Sequence, residues 1–339
     1  MTIRVLIASY LEPEYVEQIR QVDSRLDVIY EPSLVARPRY VADHKGEAFI
    51  RSAGEEERWR QYLGQAEVIF DFDQTHLDDL PELAGRARWL QTTSSGVARF
   101  IVEHGYDRRM PDTVFTNAAG IHAQPLAEFC FMVMTMFNKN VLSVLEDQKA
   151  RRWERYAGLD LSNRTLVIVG LGKVGQEVAR LAKQFRMNVI GVKQAIKNAD
   201  LSALNVDALY GAGDLDHVLP MAEFLVLIAP HTAETEKMMG EKQFSLMPQG
   251  AVLINIGRGA LVDEPALVAA LQNGHLRGAG LDVFETEPLP GHSPFWHMPN
   301  VIVSPHSAST TNNENRLITD LFCQNLKRYL AGKPLINVV

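Results

Sequence analysis

The sequence predicts an α/β protein of two domains, each built on a parallel sheet. Three observations carry this. The chain has 339 residues, and at about 150 residues per domain that is enough for two. Short apolar runs of β type alternate with helical patterns along nearly its whole length. The texture changes near Gly120, which divides the runs into two series.

The first series comprises 3–8, 27–30, 68–70, 89–92 and 114–116. Between its first two runs, Tyr15, Val16, Ile19 and Val22 fall at helical spacing. Gln124 to Phe137 (QPLAEFCFMVMTMF) is too uniformly apolar for a surface helix. Burial against another domain or a second copy of the chain is expected there, and with it a homodimer. A polar stretch, 138–160, follows; its Trp153 serves either as a surface anchor or as a packing residue.

The second series has six runs: 165–169, 188–192, 224–229, 251–256, 280–283 and 301–304. Val174, Val178, Leu181, Ala182 and Phe185 mark the helix after the first of them. Asp263-Glu264-Pro265 opens another, with acidic residues and Pro in its first turn and Gly274 as its stop. Six strands with intervening helices suit a doubly wound sheet. The last helical stretch, 310–330, is expected to return to the first domain, with Leu317, Ile318, Leu321 and Leu326 facing a core.

Composition narrows the function. Net charge is 34 − 41 = −7, which argues against a nucleic-acid footprint of clustered Lys and Arg. The acidic run Glu55-Glu56-Glu57 is too short for a charged tail and reads as a solvated loop or helix end. The two cysteines, Cys130 and Cys323, lie in apolar helical stretches without a CxxC pair. A disulfide framework and a thiolate zinc site are not expected, and a reducing, cytoplasmic location fits. The opening residues do not read as a signal peptide, and the longest nearly apolar run, 129–137, is too short for a bilayer.

Four motifs carry chemistry. Gly170-Leu171-Gly172-Lys173-Val174-Gly175 follows the strand TLVIV directly and opens an amphipathic helix. Glycines there allow a tight turn, close backbone approach and helix–sheet packing, and the helix N-terminus faces an anion; this is the requirement of a pyrophosphate. A site for NAD would also want Asp or Glu at the end of the next strand. Val192-Lys193-Gln194 stands there instead, with Lys197 nearby. A lysine favours a 2′-phosphate, so NADP(H) is expected over NAD(H), unless Lys193 is only a solvated strand-end residue. The second motif is Asn255-Ile256-Gly257-Arg258-Gly259, an arginine at a strand end that can grip a carboxylate with two hydrogen bonds. The third, Asp282-Val283-Phe284-Glu285-Thr286-Glu287-Pro288, crowds carboxylates at the next strand end. The fourth is Ser304-Pro305-His306-Ser307. A Glu–His pair makes a general acid–base whose charged form the carboxylate stabilises. No metal-ligand spacing accompanies it.

The ordered set GLGKVG, NIGRGALVDEPAL, GAGLDVFETEPLP and NVIVSPHSAS, with TTSSGV at 92–97, resembles the D-isomer-specific 2-hydroxyacid dehydrogenase family, in particular its glyoxylate/hydroxypyruvate reductase-like, NADP-leaning members. The resemblance covers most of the chain. It implies a Rossmann dinucleotide domain (120–307) inserted into a smaller, flavodoxin-like substrate domain (1–119 and 308–339). It implies reduction of a small 2-oxo acid to the D-2-hydroxy acid, with NADP preferred and NAD possible. Arg258 would bind the substrate carboxylate and polarise the carbonyl. His306 would donate the proton, and Glu287 would support His306. Backbone N–H groups of Ser95, Gly96 and Val97 would meet the same carboxylate. Gly170, Gly172, Lys173, Val174, Gly175, Lys193, Pro230, Ile256, Gly257, Arg258, Asp282 and His306 would line the dinucleotide.

Two departures stand out: Lys193 replaces the usual acidic residue, and Arg99 stands near where many members carry Asp. Two other readings share the architecture. One is a corepressor-like dinucleotide-binding module that works through protein partners. The other is a formate or phosphite dehydrogenase, of which the formate type would be expected to place Gln where Glu287 stands.

Overall fold

The computed structural model describes residues 2–197 and 199–339. The chain forms two units: one runs to His122 and resumes at Thr310–Val339, and the other is Ala123–Ser309, inserted between those segments.

The first unit holds β1 (Ile3–Ile7), β2 (Leu26–Ile29), β3 (Val68–Phe70), β4 (Trp89–Gln91) and β5 (Val114–Thr116). They form one parallel sheet in the order β2-β1-β3-β4-β5. Alternate residues of a strand face opposite sides. Leu6, Ile69 and Leu90 therefore pack with Trp59 and Leu63 on one face. Val5, Ile7, Val68, Phe70 and Trp89 pack on the other, against Ile19, Ile318, Phe322 and Leu326. The C-terminal helix Glu314–Leu330 supplies the last three of these, and Phe322 stacks on Trp89 at 4.9 Å between ring centres. Glu55 and Glu56 of the acidic run lie in the first turn of the helix Ala53–Gln65, where Glu55 accepts from the Ser52 amide at 2.8 Å. An acidic first turn suits the partial positive charge of a helix N-terminus.

The second unit holds β6 (Thr165–Val169), β7 (Asn188–Lys193), β8 (Ala208–Gly211), β9 (Phe224–Leu227), β10 (Ala251–Asn255), β11 (Leu276–Leu281) and β12 (Val301–Val303). All pair in parallel, in the order β12-β11-β10-β9-β6-β7-β8. This is a doubly wound sheet whose order reverses between β9 and β6.

Two features differ from the sequence expectation. The sheet has seven strands rather than six, because β8 is a four-residue edge strand of half-buried residues with no long apolar run. The run at 280–283 overlaps only the last two residues of a longer strand, β11, whose Gly278 disguises its earlier part.

The glycines of β11 also correct the expectation for the apolar helix. The helix Ala123–Asn138 packs on β10, β11 and the helix Lys173–Gln184 of its own unit. A Cβ at Gly278 would lie 2.1 Å from the Phe137 ring, and one at Gly280 would lie 2.6 Å from Val133. The glycines are seats for those side chains. Leu126, Ala127, Cys130, Val133, Met134 and Phe137 are buried within the unit, so this helix does not call for a second copy. Gly278→Ala should overpack the contact and lower stability by about 1–3 kcal/mol. Thermal denaturation checks this, and an unchanged Tm would contradict the packing.

No described helix is long and apolar enough to cross a membrane.

Candidate active site

Because the seven strands of the second unit run parallel, their C-terminal ends share one edge, the edge on which doubly wound sheets bind ligands. Arg258 follows β10, Glu287 follows β11 and His306 follows β12, three adjacent strands. Gly170 follows β6, Lys193 ends β7 and Pro230 follows β9.

His306 and Glu287 meet. Nδ1 of His306 lies 2.7 Å from Oε2 of Glu287. A carboxylate only accepts, so Nδ1 carries the hydrogen of this bond. The other oxygen, Oε1, accepts from the Phe284 amide at 3.1 Å, so the carboxylate is fixed from both ends. Among the described residues Nε2 of His306 has no hydrogen-bond partner. The ring is about half exposed. The backbone at His306 has φ +53°, a left-handed conformation that a residue with a Cβ adopts at a cost. Its flanks hold it there. Buried Asp282 Oδ1 accepts from Ser304 Oγ at 2.5 Å, from the Ser307 amide at 2.8 Å and from the Ala308 amide at 2.9 Å. Asp282 thereby pegs the loop that carries His306.

The arginine loop is shaped by a buried asparagine. Asn255 Oδ1 accepts from the Gly257 amide at 3.1 Å, and its Nδ2 donates to the Arg258 carbonyl at 3.0 Å. This Asx turn leaves Arg258 exposed while Ile256, Gly257 and Gly259 are buried. The Arg258 guanidinium donates to the Gly257 carbonyl at 2.6 Å. Gly259 lies against the next loop: a Cβ there would sit 1.9 Å from the Phe284 carbonyl carbon. Phe284 is the residue whose amide holds Glu287. One close backbone contact therefore ties the arginine loop to the carboxylate loop.

The glycine-rich turn sorts its glycines by task. Gly170 has φ +108°, and a Cβ on it would lie 2.8 Å from the Ala229 nitrogen, where the chain leaves β9. A Cβ on Gly175 would lie 2.1 Å from the Gly170 carbonyl oxygen. These two are needed by the fold itself. Gly172 has nothing within 4 Å of a Cβ and is exposed at the N-terminus of the helix Lys173–Gln184. A side chain added there would meet no other part of the chain and would only fill the space in front of that helix end. An anion seated on backbone N–H groups at that helix end fits it. Lys193 is half-buried, with no ion-pair partner among the described residues. Among the described residues, no group of three or more His, Cys, Asp or Glu forms a metal site.

In the first unit, Ser95, Gly96 and Val97 follow β4. No acceptor among the described residues takes up their three amides. The Ser95 carbonyl accepts from Asn117 Nδ2 at 3.1 Å. Its hydroxyl lies 3.1 Å from His122 Nδ1, and His122 Nε2 lies 3.0 Å from Glu314 Oε1.

A family profile described as "D-isomer specific 2-hydroxyacid dehydrogenase, NAD binding domain" matches residues 131–308, just over half of the chain. The chain belongs to the D-isomer specific 2-hydroxyacid dehydrogenase family. This dehydrogenase is an oxidoreductase acting on a CH–OH group with a nicotinamide dinucleotide. It is 33% identical over 308 residues to glyoxylate/hydroxypyruvate reductase B of Klebsiella pneumoniae, covering 89% of each chain. It is 29% identical over 302 residues to D-3-phosphoglycerate dehydrogenase of Methanocaldococcus jannaschii, where it spans only 56% of that protein. Among solved structures, the D-isomer specific 2-hydroxyacid dehydrogenase family protein of Aeromonas salmonicida aligns with TM-score 0.81 and 26% identity, over 100% of this chain and 99% of that one.

The sequence of the dehydrogenase shows Asn255 in the arginine motif without establishing its turn, and does not point to His122 or Glu314. The Asx turn had a local signal, an Asn two residues before the amide it holds. His122 and Glu314 are 192 residues apart, and nothing local joins them.

Proposed function

We propose that the protein reduces a small 2-oxo acid of the glyoxylate or hydroxypyruvate class to the D-2-hydroxy acid, using NADPH in preference to NADH. The observation that carries this is the His306–Glu287 pair at 2.7 Å, with Glu287 held from its other oxygen by Phe284. When bound, the dinucleotide supplies the hydride for the carbonyl carbon. Gly170, Gly172, Lys173, Val174 and Gly175 would hold its pyrophosphate, and Pro230, Ile256, Gly257 and Asp282 would line it. His306, held through Nδ1 by Glu287, presents Nε2 to the carbonyl oxygen and gives it the proton. Arg258 turns its planar guanidinium to the substrate carboxylate and offsets charge that grows on oxygen. The amides of Ser95, Gly96 and Val97 complete the grip on the carboxylate.

The test is NADPH oxidation against a panel of 2-oxo acids, with the product scored for chirality. Reduction of glyoxylate or hydroxypyruvate, with D product wherever a stereocentre forms, is the expected result. No turnover with any member, or an L product, would overturn the reading.

Lys193 supports the cofactor choice, since an ammonium at the end of β7 attracts a 2′-phosphate where a carboxylate would repel it. Lys193→Asp is expected to lower kcat/KM for NADPH about tenfold or more, or at least 1.4 kcal/mol, and to affect NADH much less. A wild-type protein that prefers NADH would refute the choice.

A homodimer belongs to the same reading. Val144, Leu145, Trp153, Tyr156 and Leu159 are exposed along one stretch, Trp153 to 96%. Side chains of this kind are common at protein interfaces. Sedimentation of Trp153→Glu against wild type checks it.

A further inference from the structure

Ser95, His122 and Glu314 form a hydrogen-bonded chain inside the first unit, and the Proposed function uses only the Ser95 backbone. Its geometry limits how the hydrogens sit. Glu314 Oε1, 3.0 Å from His122 Nε2, can only accept if ionised, so that hydrogen is on Nε2. The Glu314 side chain is nine-tenths buried, and among the described residues its Oε2 has no hydrogen-bond partner. A buried carboxylate with so few partners is costly unless a cation faces it. An imidazolium at His122, 3.0 Å away, would supply that cation. Nδ1 then also carries a hydrogen and donates it to Ser95 Oγ at 3.1 Å. The serine hydroxyl hydrogen is thereby turned away from the imidazole. A neutral imidazole would do the reverse: it would accept that hydrogen and leave Ser95 only lone pairs to present.

We propose that the His122–Glu314 ion pair makes the Ser95 hydroxyl a hydrogen-bond donor to the carboxylate of the 2-oxo acid, beside the amides of Ser95, Gly96 and Val97. Ser95 is then a binding residue through its side chain. His122 and Glu314 are positioning residues that act through it. The pair is neutral as a whole, so no buried negative charge stands behind the loop that receives an anion. This rests on the 2-oxo acid reading above.

The experiment is steady-state kinetics on wild type, Ser95→Ala, Glu314→Gln and the double variant, with Tm recorded for each. A hydrogen bond to a charged group contributes about 1.5–3 kcal/mol. Ser95→Ala should therefore raise KM for the 2-oxo acid about 10–100-fold. KM for NADPH and kcat at saturation should change less than about threefold. Glu314→Gln keeps the shape and removes the charge, and should raise the same KM. The deciding readout is the double-mutant cycle. In the Ser95→Ala background, Glu314→Gln should raise KM no further, because its effect runs through the hydroxyl. A merely structural role for Glu314 would add its effect in both backgrounds. Additive effects, or a Ser95→Ala variant within twofold of the wild-type KM, overturn the inference and leave the reading of the reaction intact. Absence of wild-type turnover would overturn that reading, and the inference with it. If Glu314→Gln fails to fold, Ser95→Ala on its exposed loop still decides through its KM.

Discussion

His306→Ala lowers kcat about 10²–10⁴-fold while the Kd for NADPH stays near the wild-type value. General acid catalysis by a positioned side chain has that range, which corresponds to about 2.7–5.5 kcal/mol in the barrier. The geometry explains why the loss should fall on kcat. His306 is fixed through Nδ1 by Glu287, 2.7 Å away, which leaves Nε2 for the proton transfer proposed above. Alanine removes the proposed proton donor and leaves untouched the glycine turn after β6 and Lys193. Asp282 still pegs the loop through Ser304, Ser307 and Ala308, so the backbone course should survive. Single-turnover rates and fluorescence titration of NADPH measure the two quantities separately. A variant that turns over like the wild type would remove His306 from the chemistry.

Arg258→Ala is expected to act on both constants, with kcat/KM lower by about 10²–10³-fold. A charged hydrogen-bond partner contributes about 1.5–3 kcal/mol to binding an anion. A further loss in kcat follows if the guanidinium also offsets charge on the carbonyl oxygen. Arg258→Lys separates these. It keeps the charge and loses the planar fork, so it should recover only part of kcat/KM. Full recovery by lysine would show that a point charge suffices and that the two-pronged grip is wrong. The loop is built by Asn255 and by the Gly259–Phe284 contact. Neither depends on the arginine side chain, so the variant should fold.

Much of this was legible in the chain because the chemistry sits at strand ends. Apolar runs such as TLVIV and AVLI announce their strands, and the residue after each is where a parallel sheet presents its ligands. Arg258, Glu287 and His306 could be picked out on that ground. The 2.7 Å contact between Glu287 and His306 could not, since it depends on how two loops fold back. β8 escaped notice because an edge strand needs little apolar sequence to stay paired. β11 was clipped at its start because Gly278 reads as a break when it is a seat for Phe137, as Gly280 is for Val133. The helix Ala123–Asn138 looked like an interface in part for the same reason: where it meets β11 it packs on glycines, which carry no apolar signal. The Ser95–His122–Glu314 chain joins three distant stretches, and only the fold brings them together.

The insertion of one unit into the other also sets an order of events on the ribosome. Val5, Ile7, Phe70 and Trp89 leave the exit tunnel early, yet the side chains that cover them, Ile318, Phe322 and Leu326, come from the final helix. Translation must pass through the entire inserted unit first. The earliest-made sheet therefore waits with one apolar face covered only in part, by Ile19 and its neighbours, until the helix Glu314–Leu330 emerges, and nascent chains stalled before that helix would be the ones that chaperones hold and proteases clear.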